Sequence, residues 1–190
     1  MPSPADDTTL DAILQSVVVG VTGMPGTMVR PRWQNPPPTQ PDPSTDWCAI
    51  GVTEEIPDDS PYIVHDPTLN AGDGADVLTD HEEIGVLASF YGPNAGANAK
   101  RLRNGLQVPQ NTEVLGANQI RWVSCGVVRT APDLVNAQWV MRRDITMRLR
   151  RKTTRIYSVE SLLVAEIHLF DDTGTVDDTI VVPPGATVLP

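Results

Sequence analysis

The side chains best able to do chemistry in this 190-residue chain are sparse and badly spaced for it. Its three histidines, His65, His81 and His168, are scattered, and none has a second ligand four residues away. His81-Glu82-Glu83 lacks the second histidine that a zinc-protease helix requires. Ser124-Cys125-Gly126 has no base at a recognisable nucleophile signature, and neither a glycine-rich phosphate loop nor a Gly-x-Ser-x-Gly elbow occurs. Asn70-Ala71-Gly72-Asp73-Gly74-Ala75-Asp76 mixes the residue types of a calcium loop, but lacks the alternating ligands and the terminal glutamate between helices. We therefore expect no catalytic residue, no cofactor and no metal, and a protein that is not an enzyme. A constellation assembled from distant positions leaves no local spacing, so an uncharacterised enzyme stands as a minor alternative.

Charge offers more. Seven of the 14 basic residues fall between Arg142 and Arg155, while acidic residues gather at Asp6-Asp7, Glu54 to Asp59, Asp73 to Glu83 and Asp171 to Asp178. The net charge of −10 argues against a general nucleic-acid binder, since neutralising phosphates takes clustered cations and tolerates few surplus anions. Within the basic run, Arg142, Asp144, Thr146, Arg148, Arg150 and Lys152 alternate with Trp139, Met141, Ile145, Met147 and Leu149, and Arg143 is the polar exception on the apolar side. Arg142, Arg148, Arg150, Arg151 and Lys152 are thus the expected interface residues. They could bind carboxylates of a protein neighbour through planar guanidinium groups, grip DNA phosphates, or be merely solvated. Of these, contact with a protein neighbour is favoured.

The elements that must position these residues form an α+β pattern. Residues 6 to 19 predict a helix, with Asp6 or Thr8 as cap, Leu10, Ile13, Leu14 and Val17 as its apolar face, and Gly20 and Gly23 as stops. Met28 to Trp33 predicts an edge strand because Pro31 interrupts it. Asn35 to Pro43 is too proline-rich for helix or sheet and predicts a stiff loop. Strands are expected at Trp47 to Val52, covered on both faces, and at Tyr62 to Val64, Ile84 to Tyr91, Ile120 to Arg129 and Trp139 onward. Asn94 should cap a second helix with Ala95, Ala99, Leu102 and Leu106 on its buried stripe. A helical turn is expected at Gln110 to Leu115, stopped by Gly116.

Val159 to Phe170 is open between strand and helix by periodicity, with strand preferred. The expected organisation is one mostly antiparallel sheet flanked by two or three short helices over 1–170, followed by an extended acidic arm over 171–190. Cys48 and Cys125 read as small core residues rather than a disulfide. No stretch reaches the ~18 apolar residues of a membrane span and no leader pattern is visible, so a soluble protein without a membrane partner is expected.

Tyr91-Gly92-Pro93-Asn94-Ala95, Leu102 to Gly105-Leu106-Gln107, Asn111, Pro132 to Val140 and Arg142-Arg143-Asp144 together resemble the tail-terminator (neck) protein family of contractile-tailed bacteriophages. Arg32-Trp33 and Asp46-Trp47-Cys48-Ala49-Ile50-Gly51 fit the same pattern, so the resemblance covers roughly residues 28 to 150. It implies a structural virion protein of the neck and tail, assembled in the host cytoplasm. It further implies a homo-hexameric ring that caps the head-proximal end of the tail tube and halts polymerisation. Its implied partners are the tail tube protein, the sheath protein and a head-completion or connector protein, with genomic DNA passing through the ring without specific binding. The alternative is a DNA-contacting head-tail connector in which the Arg142 to Arg155 strand holds packaged DNA. The long proline-rich loop and acidic tail depart from the family's simplest pattern.

Overall fold

The computed structural model describes residues 7–182 apart from 37, 59, 136, 160–164, 171–172 and 175. It is an α+β protein with three short helices and a mostly antiparallel sheet. The chain divides into two units, one of residues 1–61 and 79–154 and the other of 62–78 and 155–190.

The first unit opens with α1 (Asp7–Thr22), in which Leu10, Ile13, Leu14, Val17 and Val18 recur at helical spacing and are buried. The helix runs past Gly20, where a stop was expected, and ends at Gly23. There a left-handed backbone (φ 74°) turns the chain, and the Gly23 amide donates to the Val19 carbonyl at 2.8 Å. Thr8 lies inside α1 and so does not cap it, and Asp6 falls outside the described residues. β1 (Val29–Pro31) pairs in parallel with β2 (Trp47–Pro57), at the sheet edge that Pro31 suits. β4 (Ala75–Tyr91) runs antiparallel to β2, opposing Cys48 to Phe90 and Ile50 to Ala88. β2 is fully buried on its Cys48 and Ile50 face and half-covered at Trp47 and Ala49 on the other.

After α2 (Ala95–Gly105), a 3-10 turn over Pro109–Thr112 leads into α3 (Glu113–Ala117), which passes through Gly116 before it ends. β5 (Ile120–Cys125) stops short of the expected Arg129. β6 (Arg129–Thr130) follows, then the hairpin of β7 (Asp133–Val135) and β8 (Gln138–Val140), and then β9 (Arg142–Ser158). The sheet order is β1-β2-β4-β9-β5, with β6 beside β9. Helices α1 to α3 cover one face, where Ile84, Val86 and Phe90 of β4 and Ile145, Met147 and Leu149 of β9 meet Leu102, Leu106 and Leu115. Each such side chain contributes roughly 1.5–3 kcal/mol when fully buried.

In the second unit β3 (Tyr62–Asp66) pairs with β4, a 3-10 turn at Asn70–Gly72 precedes Ala75, and β10 (Ala165–Phe170) pairs antiparallel with β11 (Val176–Val182). Residues 165–170 therefore form the strand preferred for that stretch. Residues 176–182, expected to lie in an extended terminal arm, form the second strand of a hairpin. The remainder of that arm, 183–190, falls outside the described residues.

Candidate functional site

Several of the resemblance-bearing segments, distant in sequence, meet on the sheet face of the first unit opposite the helices, whereas Leu102 and Leu106 of α2 lie in the core on the helix side. Trp47 of β2 and Tyr91 of β4 stack with ring centroids 4.1 Å apart and planes within 5°. The Arg142 guanidinium lies 5.9 Å from the Tyr91 ring centre, within cation–π range. Its Nε donates to Asp144 Oδ1 at 2.8 Å and its Nη2 to Asp144 Oδ2 at 2.7 Å, a bidentate pair between two residues on one side of the strand. Its Nη1 reaches Asp133 of β7 at 3.2 Å, tying the hairpin to the sheet. Ser89 donates to Asp144 Oδ1 at 2.5 Å, and Arg32 donates to Ser89.

This arrangement sets the Asp144 carboxyl. Burial works to raise it, but hydrogen bonds from Arg142 and Ser89 and the charges of Arg142 and Arg32 outweigh that and hold it below the ordinary 3.8. On the other side of the bond, the Asp144 hydrogen bond raises Arg142 against the opposing effect of burial.

Nearby, Asp46 fastens the residue that precedes α2. Asn94 makes no side-chain capping bond. Its backbone amide and its Nδ2 both donate to the Asp46 carboxylate at 2.8 Å, fixing the start of α2. Gly92 permits this approach: its φ is +96°, and a Cβ there would stand 2.6 Å from both Asp46 Oδ1 and the Thr45 carbonyl. Beside the cluster runs an open groove of about 560 Å³, lined by Arg32, Trp33, Trp47, Tyr91, Asp133 and Leu134 among others. Trp33 is 71% exposed, Leu134 61% and, on the neighbouring β8, Trp139 69%.

The five expected interface residues take four different situations. Arg142 is the half-buried organiser just described. Arg148 donates to Glu83 at 2.7 Å and lies 3.4 Å from Glu54, and Arg150 pairs with Asp58. Lys152 is exposed with no side-chain partner among the described residues, while its backbone amide donates to Gln119. Arg151 lies on the opposite face, in line with Ile145, Met147 and Leu149. Its side chain is 9% exposed, with Nε donating to Glu82 at 2.7 Å and Nη2 3.6 Å from Glu55. A register shift between Val52 and Glu54 makes this possible, because it places Glu55 rather than Glu54 on the face of Arg151. The basic run is thus a two-faced ladder of ion pairs across β2, β4 and β9.

The apolar side of that run also needs correction. Ile145, Met147 and Leu149 are buried, but Trp139 and Met141 are exposed, because the chain breaks between β8 and β9 and the alternation does not carry across. Sequence reasoning missed the exposed rim for this reason.

Elsewhere, His65 Nδ1 meets Asp76 Oδ1 at 2.9 Å and His168 Nδ1 meets Thr179 Oγ1 at 3.2 Å across β10 and β11. Both cysteines are free. Burial pushes the Cys48 thiol far up and that of Cys125 to about 11, against the pull of nearby arginines, which makes both poor nucleophiles. Among the described residues no helix is long and apolar enough to cross a membrane.

A family model described as phage neck terminator protein matches residues 8–174. No curated protein matches the chain.

Proposed function

Since this chain belongs to the phage neck terminator protein family, a structural family of the virion neck, we propose that it forms a ring of six copies on the head-proximal end of a contractile tail tube. There it stops addition of tube and sheath subunits and offers a surface to the head-completion or connector protein. The family match over most of the chain carries this reading.

The geometry supports interface work. Exposed aromatic side chains flanking a groove are what well-packed protein contacts use as anchors, and the groove floor is held rigid by the Arg32–Ser89–Asp144–Arg142–Asp133 chain of polar contacts. The ion pairs of β9 bear on the DNA-gripping alternative. Arg142, Arg148, Arg150 and Arg151 are each matched by carboxylates of the same chain, so their field at a phosphate is largely cancelled. A ring walled in this way lets DNA pass without holding it. Arg148, Arg150 and Lys152 remain accessible enough to share a neighbour's carboxylates, whereas Arg142 and Arg151 act through the structure of the sheet.

Mass measurement of the protein on intact tails tests this. Six copies per tail are expected. Any other number, or absence of the protein from the tail end, contradicts the reading.

A further inference from the structure

The second unit exposes apolar side chains on both sides of its strands. Tyr62, Ile63 and Val64 are consecutive in β3, and Ile156 and Tyr157 are consecutive near the end of β9; all five are exposed. Since successive residues of a strand point to opposite faces, neither face is covered at these positions. Over residues 62–78 and 155–158 of this unit, Ala75 is the only buried apolar side chain. Strands in this condition are marginal alone and gain stability from a partner.

Charge indicates which partner. Residues 62–78 and 155–190 hold nine acidic residues and one basic residue, a balance of −8 out of the chain's −10. In the first unit the arginines of β9 are largely matched internally, but α2 displays Lys100, Arg101 and Arg103, all exposed and without a carboxylate partner among the described residues. Arg101 donates to the Thr22 carbonyl at 2.8 Å.

We propose that the strands of the second unit pack against the α2 surface of an adjacent copy of this chain, acidic residues meeting Lys100, Arg101 and Arg103 around an apolar contact by Tyr62 and Val64, which share one face of β3. The contact joins unlike patches, so it repeats head to tail and closes with the ring. It rests on the homo-oligomeric reading above and names the surface within it.

The chain contains two lysines, Lys100 and Lys152, which makes carbodiimide coupling of lysine to carboxylate selective. Full-length protein mixed from nitrogen-14 and nitrogen-15 preparations is assembled on tail tubes, cross-linked and digested. Mixed-isotope links from Lys100 to Asp66, Asp73 or Asp76 are expected. Same-isotope links alone, links from Lys100 to first-unit carboxylates, or links to the tube protein overturn the proposal while the ring stands. A single copy on each tube overturns the ring and this contact together. As a second measurement, Arg103→Glu should reduce the assembled fraction about tenfold through like-charge repulsion at unchanged melting temperature, and Asp73→Arg in the same chain should recover part of it. No recovery counts against the contact.

Discussion

Asp144 receives hydrogen bonds from Arg142 and Ser89 on a largely covered part of the sheet, and its folded-state carboxyl is held below the ordinary 3.8. The stabilisation is fully present above the unfolded value and is lost as pH falls below 3.8 through the lowered folded value. Thermal melts at stepped pH should therefore show that Asp144→Asn flattens part of the acid-side slope. At neutral pH the Asp144→Ala variant should lose roughly 1–3 kcal/mol, because Arg142 and Ser89 lose their common acceptor. A second comparison separates the two faces of the basic run. Arg151→Ala strands a covered Glu82 and should cost about 1–3 kcal/mol in denaturant unfolding, while Arg148→Gln should leave the denaturation midpoint close to wild type. The sequence made Ile145, Met147 and Leu149 legible as core because large apolar residues mark one parity of a strand. Arg150-Arg151-Lys152 has no such landmark, and only the carboxylates contributed by β2 and β4 make a buried arginine affordable at 151.

The helices were legible in extent to within a turn, since α1 and α2 each carry an unbroken apolar stripe. What the stripe could not reveal is how closely they approach. Gly105 is a poor helix former in the last turn of α2, and its packing role is that a Cβ there would stand 2.3 Å from Val21 Cγ1 of α1. Gly105→Ala should accordingly destabilise the protein by about 1–3 kcal/mol despite its better helix propensity. Adding Val21→Ala should recover part of the loss in the same denaturant titration, and failure to recover would mean that the close approach is not the cause. The same limit applies to the capping of α2. Asn94 stands where caps are common, but the acceptor is Asp46, 48 residues earlier and brought there by pairing of β2 with β4. β11 was missed because short strands between acidic residues have little alternation to read, and its pairing with β10 is what defines it.

At the scale of the molecule, many of the residues that suggested a family prove to be neighbours in space. Trp47 on Tyr91, Arg142 above them, Asp46 at Asn94 and Arg32 reaching Ser89 form one connected patch, which is why a pattern without chemistry could still be recognised in the sequence. The exposed Trp139 beside it was beyond such reading, because an aromatic in an alternating run looks like core until the strand break is known. The account makes this chain the stop on a growing tube, and electron microscopy of particles made without its gene addresses that role directly. Filled heads separated from tails of uncontrolled length are expected, since an uncapped tube end keeps adding subunits. Tails of normal length joined normally to heads would contradict the account.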